Sequence, residues 1–284
     1  MKNLFKSIFV LFIVSLTVLS CSRTSDEPVM PANELQDLVK IKEISNDTHI
    51  IELYSATGTT VLGYNDLKMR IKNKATNQYE KNASVSWMPL MHMAMMAHAA
   101  PRSAVTKITP DGTLYTGYIV FQMPQNASEY WDLKIDYTIN GTAYSVTSTV
   151  DVPASTKTKV TSFLGTDNVK YVMAFIEPKT PKVAINDLSV GVWKMEDMMN
   201  FSVVDGYTVK VDPRMTGMGN HTSPNNVDAK QTAAGQFYKG KLSLTMTGYW
   251  KINLQLQKPD GTIVKGEEVT AANPESSLYF DFEF

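Results

Sequence analysis

The fifteen residues from Trp87 to Pro101 (WMPLMHMAMMAHAAP) hold five of the chain's sixteen methionines and two of its four histidines, with no charged side chain among them. Thioether sulfur and imidazole nitrogen together favour a soft metal ion, above all Cu(I). Methionine also fills irregular gaps in apolar cores, so packing is the competing reading. If the stretch is extended, Met91, Met93 and Met95 share one face and His92 points the other way. If it forms a helical turn, Met91, Met95 and His98 align instead. A loop brings in His92 as well, so the candidate ligand set is Met91, His92, Met93, Met95 and His98. Methionine remains a ligand at acidic pH, where histidine is protonated.

The same order of residues returns later in the chain. Asn65-Asp66-Leu67 recurs as Asn186-Asp187-Leu188, Pro89-Leu90-Met91 as Pro213-Arg214-Met215, and His98-Ala99-Ala100-Pro101 as His221-Thr222-Ser223-Pro224. The segment Gly112–Gly117 matches Gly235–Gly240, Met123 matches Met246, and Tyr130-Trp131 matches Tyr249-Trp250. Histidine and methionine stand 25 positions apart in each copy, from His98 to Met123 and from His221 to Met246. The second copy thus offers a sparser ligand set of Met215, Met218 and His221. Duplication is a stronger signal than any single motif.

The elements that must position these residues are strands. Thr, Val, Tyr and Ile are abundant, and Asp111-Gly112, Asn140-Gly141 and Asp260-Gly261 are turn dipeptides. Apolar and polar residues alternate in Leu67–Lys72 and in Trp131–Asp136, so each run shows one face to a core and one to water. Further strand-like runs are His49–Ser55, Ala83–Trp87, Leu114–Met123 and Ala143–Val150. No stretch of comparable length carries a 3.6-residue stripe. The expected fold is all-β, a pair of β-sandwiches over residues 48–152 and 160–284. Within it Met123, Met246, Trp131 and Trp250 read as core, Asn65 and Asn186 as turn residues, and His49 as a surface or edge residue. Met195, Met198 and Met199, beside two acidic residues and no histidine, read as packing.

The first twenty residues have the form of a targeting segment: Lys2 and Lys6, then an apolar run from Ile8 to Leu19 too short to span a bilayer. Val18-Leu19-Ser20-Cys21 reads as a lipobox, making Cys21, the chain's single cysteine, the lipidated N-terminus of the mature protein. Several acyl chains, at about 0.8 kcal/mol per buried methylene, hold such a protein on a membrane. Residues 21–47 read as a tether. The expected location is the cell envelope at the outer membrane, on its periplasmic or surface face.

These residues carry a resemblance. Gly63-Tyr64-Asn65, Met88-Pro89-Leu90-Met91, the strand entry from Asp111 to Gly117, Met123-Pro124 and Trp131 follow the pattern of the YtkA-like/FixH-like family over residues 48–152. The second copy departs from it, with Ala184 in place of the glycine and Asp212 in place of the first methionine. The resemblance implies immunoglobulin-like sandwiches and an association with copper handling and respiratory-oxidase assembly.

Net charge is −1 and no basic tract exists, so nucleic acid is not an expected partner. The sequence holds no HExxH, CxxC, phosphate loop or nucleophile elbow, so no enzyme activity is expected. Two functions remain. One is a lipid-anchored copper-binding protein that buffers the ion or exchanges it with a copper-receiving or copper-exporting envelope protein. The other is a structural or protein-interaction module of a surface complex, in which the methionines only pack.

Overall fold

Leu67, Met69 and Ile71 alternate with Lys68, Arg70 and Lys72, and the three apolar side chains are fully buried. The same period of two places Trp131, Leu133, Ile135 and Tyr137 inward on the strand that closes the other face of this core. Burying each such side chain contributes about 1.5–3 kcal/mol, which ties the register of both strands to the core. A computed structural model describes residues 33–284. The targeting segment, Cys21 and most of the expected tether lie outside the described residues.

The first half contains β1 (Val39–Ser45), β2 (His49–Ser55), β3 (Gly63–Asn73), β4 (Ala83–His92) and β5 (Ala97–Ala99). It continues with β6 (Thr106–Lys107), β7 (Tyr115–Phe121), β8 (Tyr130–Ile139) and β9 (Thr142–Val150). They form two antiparallel sheets, β1-β2-β3-β7-β6 and β5-β4-β8-β9, around one core. The second half has β10 (Val160–Leu164), β11 (Lys170–Glu177), β12 (Ala184–Met195), β13 (Phe201–Val203) and β14 (Thr208–Met215). After these come β15 (His221–Thr222), β16 (Val227–Lys230), β17 (Tyr238–Leu244), β18 (Tyr249–Gln257), β19 (Ile263–Lys265) and β20 (Tyr279–Glu283). Here β16 pairs with both β14 and β17, joining the two layers into one continuous sheet. The fold is all-β and sandwich-like, with antiparallel pairing throughout and no α-helix among the described residues.

Matched residues of the two copies do the same structural work. Asn65 Oδ1 accepts from the Val61 amide at 2.8 Å while its Nδ2 donates to Val61 O and Gly63 O. Asn186 binds the Lys182 amide, Lys182 O and Ala184 O in the same way. Trp131 Nε1 donates to Met123 O at 2.9 Å, and Trp250 Nε1 to Met246 O at 3.0 Å. The matched glycines mark close approaches. A Cβ at Gly117 would lie 2.5 Å from Trp87 Cζ2, and one at Gly240 would collide with Val227 O. The prolines match too: Pro89 and Pro213 each sit one residue before the short strand pairing begins, at Leu90 with β5 and at Arg214 with β15. A residue without an amide hydrogen is tolerated at such a place.

The two asparagines differ in burial, and that sets an expected result. Asn65→Ala strands a buried amide and two carbonyls and is expected to cost about 2–3 kcal/mol. Asn186→Ala opens a loop that water reaches and is expected to cost about 1 kcal/mol. Urea unfolding of the two single variants checks the difference.

Each half has its own core, one built from residues between Ile44 and Val152 and one from residues between Tyr171 and Phe282. A third cluster joins them: Val120 of β7 is buried against Val160, Val172, Ala174 and Trp193, with Tyr64, Tyr118 and Phe237 packed on it. Trp193 Nε1 reaches Tyr118 OH at 3.3 Å. Residues 34–284 accordingly form one compact unit.

Two expectations need correction. The expected tether ends early, because Val39–Ser45 is β1, paired along its length with β2. A bulge between Lys40 and Lys42 breaks its alternation, which hides the strand from a period-two reading. His49 is buried, not a surface residue. It lies edge-on to Tyr137 and Tyr144, Tyr137 OH stands 3.1 Å from its Nδ1, and burial lowers its pKa.

Candidate functional site

The strand expected to stop at Trp87 runs on to His92, because β4 keeps register with β8 from Ala83↔Ile139 to His92↔Tyr130. The Met/His stretch is therefore a β-hairpin. A tight turn, in which the Met93 amide donates to Met96 O at 2.9 Å, leads into β5.

This geometry separates the expected ligands. Met91 faces inward between Trp131 and His98, its cross-strand neighbours, and is fully buried in the core. His92 points outward, stacks on Tyr130 at 4.8 Å and holds Asp132 Oδ2 at 3.0 Å from its Nε2. Met95 is at the turn's tip, 96% exposed. Met93 and His98 alone enter a common cleft of about 480 Å³. In the second copy Met215 is a core residue, while Met218 and His221 face solvent. The set Met215, Met218 and His221 is thus split between core and surface.

The cleft gathers methionines that the sequence reading passed over. Met96 and Met123 line it beside Met93 and His98, and Met195 and Met198 line it from the second half. His98 Nε2 lies 3.3 Å from Met123 Sδ. Its Nδ1 lies 2.8 Å from Ala99 O and 3.3 Å from Gln122 Nε2, and the nearer partner, a carbonyl that only accepts, favours the tautomer with the hydrogen on Nδ1. In the neutral ring Nε2 then presents its lone pair to the sulfur. A histidine whose other nitrogen is held by a carbonyl is oriented as a metal ligand is.

Three further features bear on what the cleft can hold. Two lone pairs facing each other at 3.3 Å repel unless a proton or a cation sits between them. That separation also suits one ion with bonds of about 2.0–2.3 Å, the length transition metals make to nitrogen and sulfur. Among the described residues no carboxylate lines the cleft and Lys170 does, which disfavours hard divalent ions that need oxygen ligands. Gln122 Nε2 donates to Ala99 O at 3.0 Å, leaving Gln122 Oε1 buried without a donor among the described residues.

Among the described residues no three His, Cys, Asp or Glu side chains gather as a metal cluster. The donor set of this cleft is one imidazole with thioethers. One signal that marked Met123 was its constant 25-residue spacing from the histidine. No family model matches the chain, and no curated protein is detectably similar to it.

Proposed function

We propose that the chain is a non-enzymatic envelope lipoprotein that binds a soft metal ion, copper as Cu(I), in the cleft at His98 and Met123. The observation that carries this reading is the placement of the His98 ring, with Nδ1 2.8 Å from Ala99 O and Nε2 3.3 Å from Met123 Sδ. Met93 and Met96 add thioethers from the same hairpin. Neutral nitrogen and sulfur donors without a carboxylate select by softness. The ion would be buffered or passed to another envelope protein, with Cys21 as the lipidated anchor at the outer membrane. The resemblance of residues 48–152 to YtkA-like/FixH-like domains, immunoglobulin-like sandwiches tied to copper handling, points the same way.

Competition of the purified chain with a Cu(I) chelator tests the reading. His98→Ala combined with Met123→Leu is expected to weaken binding at least about tenfold, about 1.4 kcal/mol. Met91→Leu and Met95→Leu preserve volume and lie outside the cleft, so affinity is expected to stay within about twofold. Equal affinity of the double variant and the parent chain sinks the proposal. In that case the methionines pack, and the structural or protein-interaction reading takes its place.

A further inference from the structure

The walls of the cleft belong to different halves of the chain. Met93, Met96, His98 and Met123 come from the first half, and Met195 and Met198 from the end of β12 and the turn after it. We infer that the metal site is composite, with Met195 and Met198 completing it, so that a bound ion clamps the two halves together. This rests on the soft-metal reading above.

Three observations place the second-half sulfurs there for more than packing. First, β5, the three-residue strand that carries His98, is the edge of its sheet, and its free edge is taken by the turn that carries Met198. The Ala99 amide donates to Met198 O at 2.8 Å, one residue from His98. Second, the turn is held in shape by its own residues. Asp197 Oδ1 accepts from the Met199 amide at 2.7 Å and the Asn200 amide at 2.9 Å, so Met198 is presented rather than left loose. Third, Glu196 to Asn200 are all exposed, so a folding requirement for apolar side chains does not explain methionines at this turn. Met198 sits 36% exposed at the mouth of the cleft, where a thioether remains open to an incoming ion or to a partner's ligand.

The tie at this end of the interface is slight without an ion. Besides the Ala99 bond, Arg102 Nη1 reaches Met199 O at 3.3 Å. Ligands supplied by both halves make ion affinity depend on docking and docking depend on the ion, by the same free energy in each direction.

The test uses the full-length chain and Cu(I) itself. Met195→Leu combined with Met198→Leu keeps side-chain volume and leaves the His98–Met123 pair intact. Chelator competition is expected to show at least a tenfold loss of affinity in this variant. Hydrogen exchange of the parent chain is expected to slow on adding Cu(I) in residues 93–99 and in residues 196–200 together. Parent-like affinity in the leucine variant, or protection confined to residues 93–99, overturns the clamp and leaves the first-half site standing. No Cu(I) binding by the parent chain overturns the clamp and the soft-metal reading together.

Discussion

Trp131→Ala is expected to destabilise the chain by about 3–5 kcal/mol and to abolish ordered metal binding at the same time. The two effects have one cause. Trp131 is fully buried, stacks edge-on against Phe121 at 5.0 Å and against His98 at 5.5 Å, and donates from Nε1 to Met123 O. It thus packs the ring of one proposed ligand and fixes the backbone of the other. Removing the indole leaves a cavity under His98 and frees the Met123 carbonyl, so the 3.3 Å pair loses both supports. Trp131→Phe separates the contributions. It keeps much of the volume but loses the bond to Met123 O, with an expected cost of about 1–2 kcal/mol and a weakened site. Trp250→Ala is the matched control: it empties the other core, which lacks a histidine–methionine pair of this kind. Urea unfolding with chelator competition on the three variants checks the expectation. A Trp131→Ala chain with parent affinity for Cu(I) contradicts it.

The recurring residues explain why so much of the fold was legible in the sequence. Asn65 and Asn186, Trp131 and Trp250, Pro89 and Pro213 are repeated because each serves a local constraint: a loop closed by three hydrogen bonds, an indole capping a carbonyl, a strand without one amide. Such constraints act over a few residues and leave fixed residue types behind. Alternation showed the strands facing one core, as in β3 and β8. It failed at β1, where a bulge shifts the register, and at β5, which is three residues long. The turn between β4 and β5 was hidden for a different reason. Met93-Ala94-Met95-Met96 contains no Gly, Pro, Asn or Asp, so none of the usual turn chemistry announces it.

The site was half legible for a related reason. Spacing along a strand says which side chains share a face, so extended geometry separates His92 from Met91, but it also groups Met95 with Met91, and the turn after His92 puts Met95 in solvent. It says nothing about which residues of a distant segment meet that face. Met195 and Met198 reach the cleft because Tyr64, Tyr118 and Val120 on the outer face of β3 and β7 dock against Trp193 and Phe237. A contact between two halves of a chain leaves no period in either sequence. Two acidic residues and no nearby histidine made Met195, Met198 and Met199 read as packing, yet one of those acids, Asp197, shapes the turn that carries Met198.

Acid is expected to remove about 3 kcal/mol of stability through a single carboxylate, Glu52. Glu52 is buried on the outer face of the first sheet. Lys40 Nζ donates to it at 2.8 Å, Arg70 Nη2 at 2.7 Å, Tyr54 OH at 2.7 Å and Tyr79 OH at 3.1 Å. Burial acts to raise its pKa, but the hydrogen bonds from Lys40, Tyr54 and Arg70 and the Arg70 charge outweigh it. The carboxyl falls from an ordinary 4.5 to about 2. A folded-state pKa below the unfolded value means the stabilisation is fully present above 4.5 and is lost as pH falls through about 2. Glu52→Gln isolates this group from the other depressed carboxylates, such as Asp136 and Asp167, which titrate in both chains. At pH 6 the variant leaves Lys40 and Arg70 facing a neutral amide, and the difference from the parent chain is expected to be about 3 kcal/mol. At pH 2 the parent's own carboxyl is half protonated, and the difference is expected to shrink below about 1 kcal/mol. Urea unfolding of both chains from pH 6 to pH 2 measures it. A difference that stays constant across that range would show that Glu52 contributes through shape and hydrogen bonding alone, not through its charge.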